Sequence, residues 1–169
     1  MSSQIISQQI IYKVNMAAHN ELGKWGEQIA ADFLESKGWY IRHRDWTYKH
    51  KDLDIVCIDG DMTTLLFVEV KTRSSDMWGA PDEAITLEKS KNIIDASAAY
   101  IKLFRLEHLE LRYDSISIIG TPDTSHTIEH KENVISLLDK FQYYERKRKS
   151  SRYKKNNGTW GSMRWGRGY

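Results

Sequence analysis

Leu53-Asp54-Ile55-Val56-Cys57-Ile58, a turn at Asp59-Gly60-Asp61, and Leu65-Leu66-Phe67-Val68-Glu69-Val70-Lys71 form the stretch that decides the fold. Two apolar, β-branched runs joined by a Gly-bearing polar turn predict a hairpin of adjacent strands. Alternation along the second run puts Leu65, Phe67, Glu69 and Lys71 on one face and Leu66, Val68 and Val70 on the other. Glu69 and Lys71 then project side by side, roughly 7 Å apart. Ionisable groups in such a strand are costly unless paired with each other or with a metal. Asp54 poses the same problem in the first run. If the strands pair, Asp54 and Glu69 approach each other, and adjacent carboxylates repel unless a cation lies between them. Mg²⁺ (or Mn²⁺), held by one or two carboxylates and several waters, meets that need, and a Lys beside it can orient or deprotonate an attacking water.

Asp54, fourteen intervening residues and Glu69-Val70-Lys71 together resemble the PD-(D/E)xK signature of restriction-endonuclease-like nucleases. Four further blocks narrow the resemblance: Leu22-Gly23-Lys24-Trp25-Gly26-Glu27, Lys51-Asp52-Leu53, Trp78-Gly79-Ala80-Pro81 and Arg112-Tyr113-Asp114. With these, the chain resembles the YraN family, itself similar to archaeal Holliday-junction resolvases, over roughly Asn20 to Val134. Leu53 stands where the superfamily name has Pro, Asp52 where the family usually has Glu, and Lys51 where it usually has Gly. The resemblance implies a metal-dependent endonuclease acting on DNA, branched or structured DNA included. It makes Asp54, Glu69, Lys71 and Glu27 the catalytic set, with Asp54, Glu69, Glu27 and the Val70 carbonyl around the metal. It also suggests a homodimer, because junction-cutting relatives work as dimers. The rival reading is a nuclease-like domain that holds nucleic acid without cutting it; a weaker third is a scaffold whose apolar patch after Val134 binds another protein. Against a degenerate nuclease, Asp54, Glu69 and Lys71 are all intact.

With 169 residues, 40% hydrophobic and 28% charged, the chain suits one domain plus tails. The net charge of +2 conceals an asymmetry. From Glu145 onward there are nine Lys or Arg and one acid, leaving 16 basic and 22 acidic residues before it. An acidic domain therefore carries a basic tail. The single cysteine, Cys57, excludes an intramolecular disulfide and any Cys-rich zinc site, which fits a cytoplasmic setting. No signal peptide and no membrane-length apolar run are read, so no membrane contact is expected.

In chain order, residues 1–18 show no period and are expected to be an extension, with Met16 as a candidate natural start. A nuclease-like domain is expected over 19–144, and a basic, unstructured tail over 145–169. A first helix should start at Asn20 as cap, carry Leu22, Gly26, Ile29, Ala30, Phe33 and Leu34 on one face, and end at Gly38. Trp39 to Arg42 reads as a strand. The basic-aromatic run after it, with Arg42 and Arg44, either contacts nucleic acid or is a solvated edge. Arg73 is placed to bind a phosphate, and Trp78 either stacks on a base or caps the core. A second helix is expected over Leu87–Leu103 with Thr86 as cap, its Lys89 near a substrate phosphate or simply solvated. Strands follow at Arg112–Ile119 and Thr127–His130, with an ion pair of Asp114 to Arg112 or another basic residue a simpler account than a fourth metal ligand. Val134 to Tyr144 suggests a short helix. In the tail, Arg146, Lys147, Arg148 and Lys149 either bind nucleic acid or merely keep the chain soluble.

The expected architecture is α/β, a restriction-endonuclease-like core with a mixed central sheet of about five strands flanked by helices. Nothing in the sequence supports nucleotide hydrolysis, dinucleotide use or an HExxH zinc site. His126 and His130 read as a structural or surface pair.

Overall fold

The computed structural model describes residues 2–75, 85–136 and 142–149. Two compact units divide the chain at Ile135, Met1–Ile135 and Ser136–Tyr169. The first contains α1 (Ser2–Ser36), β1 (Tyr40–Tyr48), β2 (Lys51–Ile58), β3 (Thr64–Arg73), α2 (Leu87–Phe104), β4 (Glu110–Ile119) and β5 (Thr127–Lys131). The five strands lie in the order β1-β2-β3-β4-β5. Only β3 and β4 are parallel, joined by the α2 crossover, so the sheet is mixed as expected.

The hairpin forms because Asp59 closes it. Its carboxylate accepts the backbone N–H groups of Thr63 (2.7 Å) and Thr64 (2.9 Å) and the Thr63 hydroxyl (2.7 Å). Helix α1 begins at Ser2, not at Asn20, which lies inside it. Residues 2–22 contain neither Pro nor Gly, so no residue type there breaks the hydrogen-bond ladder of a helix. At the other end Gly38 adopts φ 88°, with Gly38 N–H donating to Glu35 O and Trp39 N–H to Leu34 O. That is the 5→2 and 6→1 pattern a left-handed glycine permits. Helix α2 starts as the sequence predicts, the Thr86 hydroxyl accepting from Lys89 N–H at 3.2 Å.

One face of the sheet buries Ile55, Cys57, Leu66, Val68, Ile116 and Ile118 under Ala30, Ala31 and Leu34 of α1. On the other, Phe67 meets Tyr100 of α2 edge-on and stacks against Tyr113. Burying these apolar side chains on both faces supplies the main stabilisation of the unit. Burial pushes the Cys57 thiol up to about 12, with the Asp114 charge adding to it, so this cysteine is an inert core residue.

The sheet-bearing unit ends at Ile135, ahead of the boundary expected after Tyr144, because the shift in charge that marks the tail comes later than the last core residue. Of the short helix expected from Val134, residues 134–136 are non-helical and 137–141 lie outside the described residues. In the second unit 142–149 are helical, so the first five residues of the expected unstructured tail carry structure. Lys147 reaches the Tyr143 hydroxyl and Arg148 pairs with Glu145, contacts that support this turn-by-turn helix. No helix among the described residues is long and apolar enough to cross a membrane.

Candidate functional site

β2 and β3 are hydrogen-bonded only from Ile55↔Val68 to Ile58↔Leu65. Yet β2 already begins at Lys51, held by β1, and β3 runs on to Arg73, held by β4. Asp54 and Glu69 are therefore the first residues past the last rung, where the two strands part. The gap leaves the Val70 N–H without a ladder partner, and the Asp54 carboxylate accepts it at 2.7 Å. Asp54 and Glu69 stand close enough that the Asp54 charge acts on the Glu69 carboxyl.

Glu27 reaches this place because α1 lies tight on β3. A Cβ on Gly26 would overlap the side chain of Thr72, so only glycine allows the approach. Asp45 of β1 completes the group: its neighbours Arg44 and Trp46 pair with Ile55 and Leu53, which sets Asp45 across from Asp54. Its φ of 50° is left-handed, a conformation Asp tolerates better than most residues. It stands close enough to Glu27 for its charge to act on that carboxyl.

Burial, then the charges of Asp45 and Asp54, raises Glu27 from 4.5 to about 7. Burial and the Asp54 charge raise Glu69 likewise to about 7. Asp54 is raised by burial against the opposing Val70 hydrogen bond. Lys89 Nζ, from the first turn of α2, stands 2.9 Å from Glu69 Oε1. Burial lowers its pKa, but the hydrogen bond and charge of Glu69 outweigh that and the net shift is upward. A groove of about 540 Å³ opens beside Glu69, lined by Lys71, Ile85, Thr86, Lys89, Ser115 and Ser117.

Of the residues singled out from the sequence, Asp54, Glu69, Val70, Glu27 and Lys89 thus meet, and Lys71 shares the groove with Glu69. Arg44 lies beside Glu27, lowering its pKa, and donates to Gln28 Oε1 at 2.6 Å. Arg42 donates to the Tyr100 hydroxyl at 3.4 Å instead. Arg73 ends β3, its carbonyl accepting from Gly120 N–H at 2.8 Å. Arg146, Lys147, Arg148 and Lys149 belong to the helical turn in the second unit, and Trp78 lies outside the described residues. Asp45 escaped the sequence reading because it is embedded in a basic-aromatic run; its signal is the register, which needs the strand pairing.

A second carboxylate cluster lies on β4 and β5. Asp114 is fully buried, and its carboxylate accepts from Arg112 Nη2 (2.7 Å), Arg112 Nε (3.1 Å) and Asn133 N–H (3.1 Å). His130 Nε2 lies 2.8 Å from the same carboxylate. Among the described residues, Asp114, His130 and Glu132 are the group of three whose ligand atoms all lie within 4.8 Å of one another, as a metal site would require. The Arg112 guanidinium, however, contacts both Asp114 and, at 3.7 Å, Glu132. A dication there would face that fixed positive charge, so the ion pair expected between Asp114 and Arg112 describes the cluster better. His126 packs edge-on against Trp25, apart from His130's partners.

Residues 26–118 match UPF0102, an uncharacterised protein family. A UPF0102 protein of Bacteroides thetaiotaomicron is 47% identical over 105 residues, covering 62% of this chain and 84% of the relative. Those of Chlorobium phaeobacteroides and Myxococcus xanthus are 42% and 36% identical, over 60% and 62% of this chain and 79% and 81% of theirs. Among solved structures, a repair endonuclease from Pyrococcus abyssi is similar at 17% identity and a TM-score of 0.33, over 56% of this chain and 38% of that one. At that level the likeness says nothing about activity.

Proposed function

This chain belongs to the uncharacterised family UPF0102, and from that premise we propose that it is a metal-dependent endonuclease hydrolysing phosphodiester bonds in DNA, branched or structured DNA included. The observation that carries the reading is the pair Asp54 and Glu69, two carboxylates facing each other where β2 and β3 part, both with raised pKa values. They are under-compensated as they stand, and their all-oxygen donor set suits a hard divalent cation. Asp54 and Glu69 would hold Mg²⁺ or Mn²⁺, with Glu27 joining directly or through water and the Val70 carbonyl as a further donor. Such an ion lowers the pKa of water and offsets the negative charge that builds on the phosphate. Lys71, two residues past Glu69 in the same groove, orients the attacking water. Asp45 adds its negative charge beside Glu27, which strengthens the site's demand for a cation. The Val70 N–H holds one oxygen of the Asp54 carboxylate in place.

The test is cleavage of DNA and RNA substrates, flaps and four-way junctions among them, with Mg²⁺ or Mn²⁺, by wild type, Glu69→Ala and Lys71→Ala. Metal-dependent cutting by wild type, lost by about 10²-fold or more in both variants, is the expected result. Equal cutting by wild type and Glu69→Ala would remove this pair from the chemistry. The nine Lys and Arg from Glu145 onward favour a second reading, a nuclease-like domain that only holds nucleic acid. Salt-sensitive binding without cutting under any metal would select it.

A further inference from the structure

The Lys89–Glu69 contact is unusual for its place. A cation in the first turn of a helix gains nothing from the helix dipole, so Lys89 is held there by the carboxylates it faces. Those are Glu69, in contact, with Asp54 and Asp52 close enough to act on its charge. Its ammonium therefore supplies, from within the chain, positive charge that the Asp54–Glu69 pair lacks. Its side chain is still 38% exposed, twice the 19% of Glu69, so it can leave without dragging core with it. The groove it borders is the place it would swing into. Along the floor β4 runs parallel to β3, setting Ser115 opposite Glu69 and Ser117 opposite Lys71. Thr86 and Lys71 complete the lining. Ammonium groups and hydroxyls in one groove complement a phosphodiester, which offers charged acceptor oxygens.

We propose that Lys89 is an exchangeable counter-ion: it neutralises Glu69 in the metal-free protein and, once Glu69 is given over to a divalent cation, turns into the groove to bind a backbone phosphate of the nucleic acid. The inference rests on the metal-dependent nuclease reading of the same site. Because one ammonium serves two partners, metal and nucleic acid bind with positive coupling through it, and the coupling is reciprocal.

The experiment uses the full chain and two variants, Lys89→Met, which keeps the stem without the charge, and Lys89→Arg, which keeps the charge. Mn²⁺ uptake is measured calorimetrically, and anisotropy follows binding of a DNA duplex of about 20 base pairs with Ca²⁺ or with chelator. Lys89→Met should take Mn²⁺ about fivefold more tightly than wild type, and Ca²⁺ should raise its DNA affinity about fivefold less than it raises that of wild type. Lys89→Arg should stay within about twofold of wild type on both counts. Mn²⁺ bound by Lys89→Met no more tightly than by wild type, or DNA binding that rises with Ca²⁺ as much as in wild type, overturns the proposal while leaving the metal site standing. No Mn²⁺ uptake by wild type would remove the metal reading and this inference with it.

Discussion

Asp114 and Asp54 are both aspartates on strands of one sheet, and both sit among apolar residues, yet their surroundings are opposite in kind. Asp114 is surrounded by its own answer: two nitrogens of Arg112, His130 and the Asn133 N–H converge on its carboxylate. Asp54 has the Val70 N–H and the charge of Lys89, whose ammonium contacts Glu69, and otherwise more carboxylate, with Glu69 and Glu27 both pushed up to about 7 beside it. Proximity of ligand-type atoms alone would favour the Asp114 cluster as a metal site. Charge balance reverses that choice. A cluster completed by a guanidinium is a lock between β4 and the segment around β5, whereas a cluster short of positive charge is a place for something to bind.

The largest expected effect breaks the lock. Asp114→Ala leaves Arg112 facing no carboxylate on the strand and should cost about 3–5 kcal/mol in unfolding free energy, read by urea titration. A cost below about 1 kcal/mol would mean that the network does not hold the fold.

The other cluster should respond in the opposite direction. Glu27 and Glu69 have folded pKa values raised above their ordinary 4.5, so the native state keeps protons that the unfolded chain has released. The stability tied to those protons is fully present below about pH 4.5 and is lost as pH rises through about 7. Asp54→Asn removes one of the repelling charges while its carbonyl can still accept from Val70. In chelator, this variant should therefore be more stable than wild type by about 1 kcal/mol near pH 8, with the difference shrinking toward pH 5. Melting curves across that range test it, and a variant equally destabilised at both ends would contradict it.

The smallest effect sharpens the contrast. Glu132 is half-exposed and 3.7 Å from Arg112, so Glu132→Gln should change stability by about 0.5 kcal/mol or less. Its Mn²⁺ uptake should match wild type. Loss of Mn²⁺ binding in Glu132→Gln would move the metal centre to β4 and β5.

Much of this organisation is written locally. Alternating apolar residues on either side of Asp59-Gly60-Asp61 determined the hairpin, because the side-chain period of a strand is fixed by its pleat. Thr86 and the stripe after it determined α2, and Gly38 the end of α1, because caps and left-handed stops act within a few residues. Asp54 and Glu69 were legible as carboxylates out of place, Glu27 only through the family resemblance, and the Asp114–Arg112 pair as neighbours on one strand face. Only the tertiary structure decided that β2 and β3 part after Ile55 and Val68, that Asp45 joins from across the sheet, and that Lys89 comes down on Glu69 from α2. These contacts join elements distant in the chain. Their geometry follows from how helices and strands pack on one another, which no local period encodes.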